Sequence, residues 1–182
     1  MRKFDSIFEI IMRISFIIIL CLYAVSVKSQ LHFPLTSVHG STKEPLEIHV
    51  KDELGDRSFL KAHMPKGKIY LVSIWATWCG SCRSELRAIQ KVHCDWSEDS
   101  NFEFIAISID TPNDHPKIFK MANKTDWNFK IIHDEYGYLV KELDVSKLPR
   151  MFLVDQNGNI VYEPKGYGAR ELKKIGALIS AL

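Results

Sequence analysis

From Ile69 to Trp75 the chain carries a short apolar run, bounded by Pro65 and Gly67 before it and by Cys79 and Cys82 after it. Such a run between turn signals predicts a buried strand. The period then changes. Leu86, Ile89 and Val92 fall at helical spacing and predict a helix from near Cys79 to about His93, so Cys79 stands at a strand-to-helix junction. Phe102 to Ile109 repeats the strand pattern and ends in Asp110, Thr111 and Pro112. A helix is expected around Lys117 to Asn123, a short strand at Lys130 to His133, and a helical stretch near Gly137 to Leu143. Met151 to Val154 and Ile160 to Tyr162 flank a loop containing Asn157-Gly158, a strong hairpin signal, and a helix from about Ala169 to Leu182 closes the chain. Upstream, Leu46, Ile48 and Val50 alternate with Glu47, His49 and Lys51, the period of a half-buried strand, and Asp52 to Asp56 supplies a turn that folds it back into a hairpin. Strands alternating with helices, closed by a hairpin and a helix, predict an α/β fold: a mixed central sheet flanked by helices, with an N-terminal β-hairpin added.

The first residues have a different pattern. Arg2, Lys3 and Arg13 precede an uncharged run from Ile14 to Val27, 14 residues long. That fits the apolar core of an export signal, about 7–15 residues, and falls short of the ~20 needed to span a bilayer. Val27 and Ser29 are small enough for the −3 and −1 positions of a cleavage site before Gln30, giving a signal peptide over 1–29, a tether over 30–45 and one domain over 46–182. The alternative is an uncleaved anchor to the inner membrane formed by residues 7–27. The large Leu20 before Cys21 argues against a lipoprotein cysteine. With 182 residues, 46% hydrophobic and 25% charged, the chain has the composition of one ordinary globular domain. The whole chain carries a formal charge of +2, and loss of residues 1–29 leaves 20 basic against 20 acidic side chains. A near-neutral surface with no basic cluster argues against nucleic acid as a partner. Export would place Cys79, Cys82 and Cys94 in a disulfide-permitting compartment, with one thiol left over.

The sharpest chemistry lies in Trp78, Cys79, Gly80, Ser81 and Cys82. Two cysteines three apart at a helix start can close a small disulfide ring, and the free N–H groups and positive dipole end there favour thiolate over thiol. Cys79 is then the attacking sulfur, and Cys82, one turn further in, resolves the mixed disulfide. The competing use of two such cysteines is structural zinc, which wants four ligands; His93 and Cys94 are the nearby candidates and no second Cys-x-x-Cys exists. Haem attachment is excluded because Arg83 stands where a ligating histidine would follow Cys82. The seven histidines show no metal-ligand spacing, and no metal or bound cofactor is expected.

The stretches "IYLVSIWATWCGSCRSEL", "FIAISID", "HDEYGYLVKELDV" and "LPRMFLVDQNGNIVY" resemble the thioredoxin superfamily, in particular the exported TlpA/ResA-type thiol-disulfide oxidoreductases, which include cytochrome c maturation reductases. The resemblance runs from about Asp52 to the C-terminus. It implies that Pro149 is a cis proline lying against the disulfide and that the backbone of Leu148 offers a strand-like edge to the partner chain. By sequence alone such a proline is commonly just a turn residue. Glu85 matches an acidic residue that this type carries three positions after its second cysteine, where it could exchange a proton with Cys82; equally, a first-turn glutamate stabilises a helix N-terminus. Trp78, with Gly80 and Ser81, is expected to face the partner, whereas Trp75, Trp127 and Phe129 are expected to pack internally.

Three features depart from the type. Ser81 replaces a proline between the cysteines, Leu86 and Arg87 follow Glu85 without the proline often found there, and Cys94 is additional, expected as a buried small hydrophobe. A peroxiredoxin-type peroxidase would need a proline and a threonine seven and three positions before its cysteine, and Val72 and Ala76 stand there. A non-catalytic binding module would normally have lost one of the two cysteines. The expected activity is thiol-disulfide exchange with exported, periplasmic proteins, as a reductase fed by a membrane thiol donor; the alternative direction is oxidation of exported thiols.

Overall fold

The computed structural model describes residues 48–98 and 101–182; the expected export segment, the tether and the first residues of the leading strand lie outside them. Among the described residues one seven-stranded sheet has the order β2-β1-β5-β4-β3-β6-β7. Its strands are β1 His49–Lys51, β2 Arg57–Phe59, β3 Ile69–Trp75, β4 Phe102–Ser108, β5 Lys130–His133, β6 Arg150–Val154 and β7 Ile160–Tyr162. The helices are α1 Leu60–His63, α2 Gly80–Gln90, α3 His93–Glu98, α4 His115–Thr125, α5 Tyr138–Glu142 and α6 Ala169–Ala181, with a 3-10 turn at Pro112–Asp114. No helix among the described residues is long and apolar enough to cross a membrane.

β3, β4 and β5 run parallel, with β6 antiparallel to β3 and β1 antiparallel to β5, which makes the sheet mixed as expected. All of β3 is buried because both its faces are covered. Ile69, Leu71 and Trp75 pack into a core with Leu86 and Ile89 of α2, Ile118 of α4, and Ile175 and Ile179 of α6. Tyr70, Val72 and Ile74 point to the opposite core, shared with Leu60 of α1 and Leu139 of α5. The period of two along an apolar run thus divides one strand between two cores.

The leading hairpin forms with Lys51 paired to Arg57 and is joined to the sheet where Lys51 meets His133. Glu135 ties it down, taking Lys51 Nζ and Arg57 Nη2 each at 2.6 Å. The helix expected from near Cys79 to about His93 runs over Gly80–Gln90, and a second, unexpected helix starts at His93. The chain turns at Lys91–Val92, Val92 N–H donating to Ile89 O at 2.9 Å, and α3 then places His93 against Phe104 and Phe129. Val92, the last residue of the helical spacing with Leu86 and Ile89, lies in that turn, so periodicity carries no sign of the break. α3 also brings Trp96 edge-on to Phe102 at 5.9 Å and against α6 at Gly176.

Candidate active site

β3 ends at Trp75, and the chain leaves the sheet through Ala76, Thr77 and Trp78 before entering α2. Cys79 is the N-cap: its backbone is extended (φ −85°, ψ 104°) and its sulfur accepts the Cys82 N–H at 3.2 Å. The sulfur occupies the place usually taken by a serine or aspartate oxygen, in front of the unpaired N–H groups of the first turn. Cys79 and Cys82 are joined by a disulfide with S–S 2.03 Å and Cα–Cα 5.3 Å. Cys79 keeps 7% of its surface and Cys82 none, so the first residue of the pair lies nearer the surface and the second is fully buried. The Ser81 hydroxyl lies 3.4 Å from the Cys79 sulfur, within reach to donate to a thiolate. Trp78, 67% exposed, stands at the surface directly before Cys79, while Trp75 is buried edge-on to Trp127 at 5.2 Å and Trp127 stacks on Phe129.

Glu85 is 1% exposed, and its Oε1 accepts the Ser73 hydroxyl of β3 at 2.6 Å. Burial pushes its carboxyl up from 4.5 to about 7, against the opposing effect of that hydrogen bond. Cys82 and Glu85 are three apart and share one face of α2. A cleft of about 470 Å³, lined by Glu85, Pro149, Met151, Glu163 and Tyr167, opens on the Glu85 side, and Arg150 is ion-paired with Glu163 at its wall. The Leu148–Pro149 bond is cis, as the resemblance implies. Arg150 pairs with Ile74, which brings Pro149 level with Trp75, where β3 ends and the cysteine segment departs. Leu148 is half-buried against both cores.

Cys79, Gly80, Ser81, Cys82 and Glu85 therefore lie together at one helix start, with Pro149 lining the same cleft as Glu85. Cys94 departs from expectation. It is exposed, because the turn before α3 directs His93 inward and the next residue outward; its sulfur lies 3.5 Å from Asn128 Nδ2 and 3.7 Å from His93 Nε2. Sequence reasoning missed Ser73 and Asp110. Ser73 is a small polar residue inside an apolar strand, a signal that something polar faces it across the layer. Asp110 resembles a simple turn residue after β4, yet it is 1% exposed and accepts both the Thr77 N–H and the Thr77 hydroxyl. Among the described residues no group of three or more His, Cys, Asp or Glu side chains is placed to hold a metal ion.

The profile of the AhpC/TSA family matches residues 43–163. The thiol-disulfide oxidoreductase ResA of Bacillus thuringiensis subsp. konkukian is 29% identical over 172 residues, covering 92% of this chain and 96% of the relative. ResA of Bacillus cereus is 30% identical over 155 residues, covering 79% and 87%. Among solved structures, a thioredoxin-like protein from Porphyromonas gingivalis superposes with a TM-score of 0.65 at 32% identity, covering 74% of this chain and 90% of that one. A secreted disulfide oxidoreductase of Mycobacterium tuberculosis superposes with a TM-score of 0.59 at 18% identity, a likeness of fold.

Proposed function

The chain belongs to the AhpC/TSA family and is a thiol-disulfide oxidoreductase of thioredoxin-like fold, and on that premise we propose that it reduces disulfides of exported proteins through Cys79 and Cys82. The observation that carries the reading is the asymmetry of the pair: the less buried cysteine caps a helix, the fully buried one stands behind it, and on the same helix face is a carboxyl pushed up to about 7. In the reduced enzyme the Cys79 thiolate attacks a substrate disulfide, forming a mixed disulfide and releasing one substrate thiolate, which takes up a proton. Cys82 gives its proton to ionised Glu85 and attacks the Cys79 sulfur, closing the Cys79–Cys82 bond and expelling the second substrate sulfur as a thiolate, which takes up the proton from Glu85. Two electrons and two protons pass to the substrate, and the cysteines themselves hold the electrons. A carboxyl near 7 is matched to that proton exchange at neutral pH.

Trp78, Gly80, Ser81 and the Leu148–Pro149 segment form the partner-facing side of the site, and the exposure of Trp78 beside Cys79 supports this. The resemblance to cytochrome c maturation reductases supports the direction, an export signal over 1–29 and a membrane thiol donor that recharges the pair; the substrates are apocytochrome c or wrongly oxidised exported proteins. Peroxidase chemistry gains no support, since Val72 and Ala76 are buried apolar residues. The test is the reduction potential of the Cys79/Cys82 couple, with Cys94 replaced by serine, against defined thiol buffers. A value of about −270 mV or lower fits a donor-dependent reductase; one near about −120 mV makes the protein an oxidant and overturns the direction.

A further inference from the structure

We propose that Asp110 is a positioning residue for the redox pair: it clamps Thr77, two residues ahead of Cys79, and thereby holds the attacking sulfur at the helix start when the disulfide is open. The carboxylate lies in a buried polar knot behind the cysteine segment. Its Oδ1 accepts the Thr77 hydroxyl at 2.6 Å, and its Oδ2 accepts the Thr77 N–H at 2.8 Å and the Ser108 hydroxyl at 2.7 Å. Backbone and side chain of one residue are thus fixed by a single carboxylate, and charge-assisted bonds of this kind are the strong ones. Asp110 is itself held. Its N–H donates to Ser108 Oγ at 3.1 Å, and its carbonyl lies 2.8 Å from His133 Nε2. A carbonyl only accepts, so Nε2 of His133 carries the hydrogen, leaving Nδ1 to face His115 Nδ1 at 3.0 Å. The clamp therefore runs from the cysteine segment through the end of β4 to β5 and α4.

Oxidation state decides when the clamp matters. In the disulfide form Cys79 is tied covalently to Cys82 in α2 and cannot drift. In the dithiol form that tie is gone, and the segment is held by the Cys79 N–H bond to Ala76 O at 3.0 Å, the Arg83 N–H bond to Cys79 O at 3.2 Å, the Cys82 N–H bond to the Cys79 sulfur at 3.2 Å and the Asp110–Thr77 contacts, of which only the last tie it to the sheet behind. Loss of the clamp then loosens the segment, and with it the hold of the first-turn N–H groups on the Cys79 thiolate. The dithiol state is weakened more than the disulfide state, and the couple shifts toward the disulfide.

The inference rests on Cys79 being the attacking sulfur, so C79S is the separate control: exchange activity surviving in C79S refutes that assignment, whatever Asp110 does. In protein carrying C94S, T77V removes one hydroxyl, T77S keeps it, and D110N replaces an acceptor by a donor. Each is equilibrated with glutathione buffers, and the reduced form is alkylated with iodoacetamide at pH 7. The expected result is a shift of about tenfold toward the disulfide in T77V, with a parallel loss of alkylation rate, a larger effect in D110N, and T77S within about twofold of the parent. A purely structural Asp110 would lower the melting temperatures of both redox forms alike. Parent-like equilibrium and alkylation rate in T77V overturn the proposal, and T77V keeps the test decisive if D110N does not fold.

Discussion

Glu85→Gln should leave the protein little changed in stability near pH 4.5 and markedly more stable at pH 8. In the folded chain burial holds the Glu85 carboxyl at about 7, whereas in the unfolded chain it titrates near 4.5. The folded state therefore keeps a proton that the unfolded state has lost, and stability falls as pH rises through that window. Each tenfold difference in proton affinity is worth about 1.4 kcal/mol, so the displacement from 4.5 to about 7 amounts to at most about 3 kcal/mol, fully expressed above pH 7. Glutamine does not titrate, and its amide oxygen can accept the Ser73 hydroxyl that now reaches Oε1 at 2.6 Å. All other ionisable groups are common to the two proteins and drop out of the difference. Thermal or urea unfolding of both oxidised proteins, each with C94S, from pH 4.5 to 8.5 measures it. The gap in stability should open with pH to about 3 kcal/mol, or roughly 10 °C in melting temperature for a domain of this size. Parallel curves across the range would mean that Glu85 is not held protonated, and the proton-exchange role given to it would fall with that result.

The same variant should slow resolution of a mixed disulfide by Cys82 while leaving the first attack by Cys79 unchanged, as read by single-turnover release of the second substrate thiol. Trp78→Ala should leave unfolding within about 0.5 kcal/mol of wild type, because the side chain is largely exposed, yet lower the rate of insulin reduction; an unchanged rate removes Trp78 from the partner surface. Gly176→Ala should destabilise by about 1–2 kcal/mol despite alanine's higher helix propensity, since the added Cβ would sit 2.6 Å from the packed Trp96 Nε1; a rise in melting temperature would show that α3 yields. Glu135→Gln should cost about 1–2 kcal/mol and raise hydrogen exchange in the β1–β2 hairpin first, because Lys51 and Arg57 lose their common anchor.

Much of the fold was legible because its strands are apolar runs with polar punctuation: β3 runs over the expected residues, and β5 and the hairpin of β6 and β7 lie where alternation and Asn157-Gly158 place them. What escaped was set by tertiary packing. α1 is a four-residue element whose apolar contribution is Leu60 alone, too short for any period to register. The turn between α2 and α3 lies under an unbroken helical spacing and is visible only once His93 is seen packed on Phe129. The reversal at Cys94 follows from that turn. At the site, the cysteine pair and Glu85 could be found along one helix, whereas Ser73 and Asp110 act across layers, at separations of 12 and 33 residues from their partners Glu85 and Thr77.

The two buried acids near the cysteines differ in how their oxygens are used, and that difference fits the roles proposed for them. Glu85 receives one side-chain hydroxyl, from Ser73, and lines the cleft; its carboxyl is free to take and release a proton without dismantling its surroundings. Asp110 receives three donors from Thr77 and Ser108 on its two oxygens, and replacing either oxygen by a donor leaves at least one of them unpaired in the interior. One acid is suited to move a proton and the other to hold a chain segment still. Exchanging a buried disulfide at a helix start requires both, because a thiolate must be formed at Cys82 at the moment it attacks and Cys79 must stay where that attack can reach it.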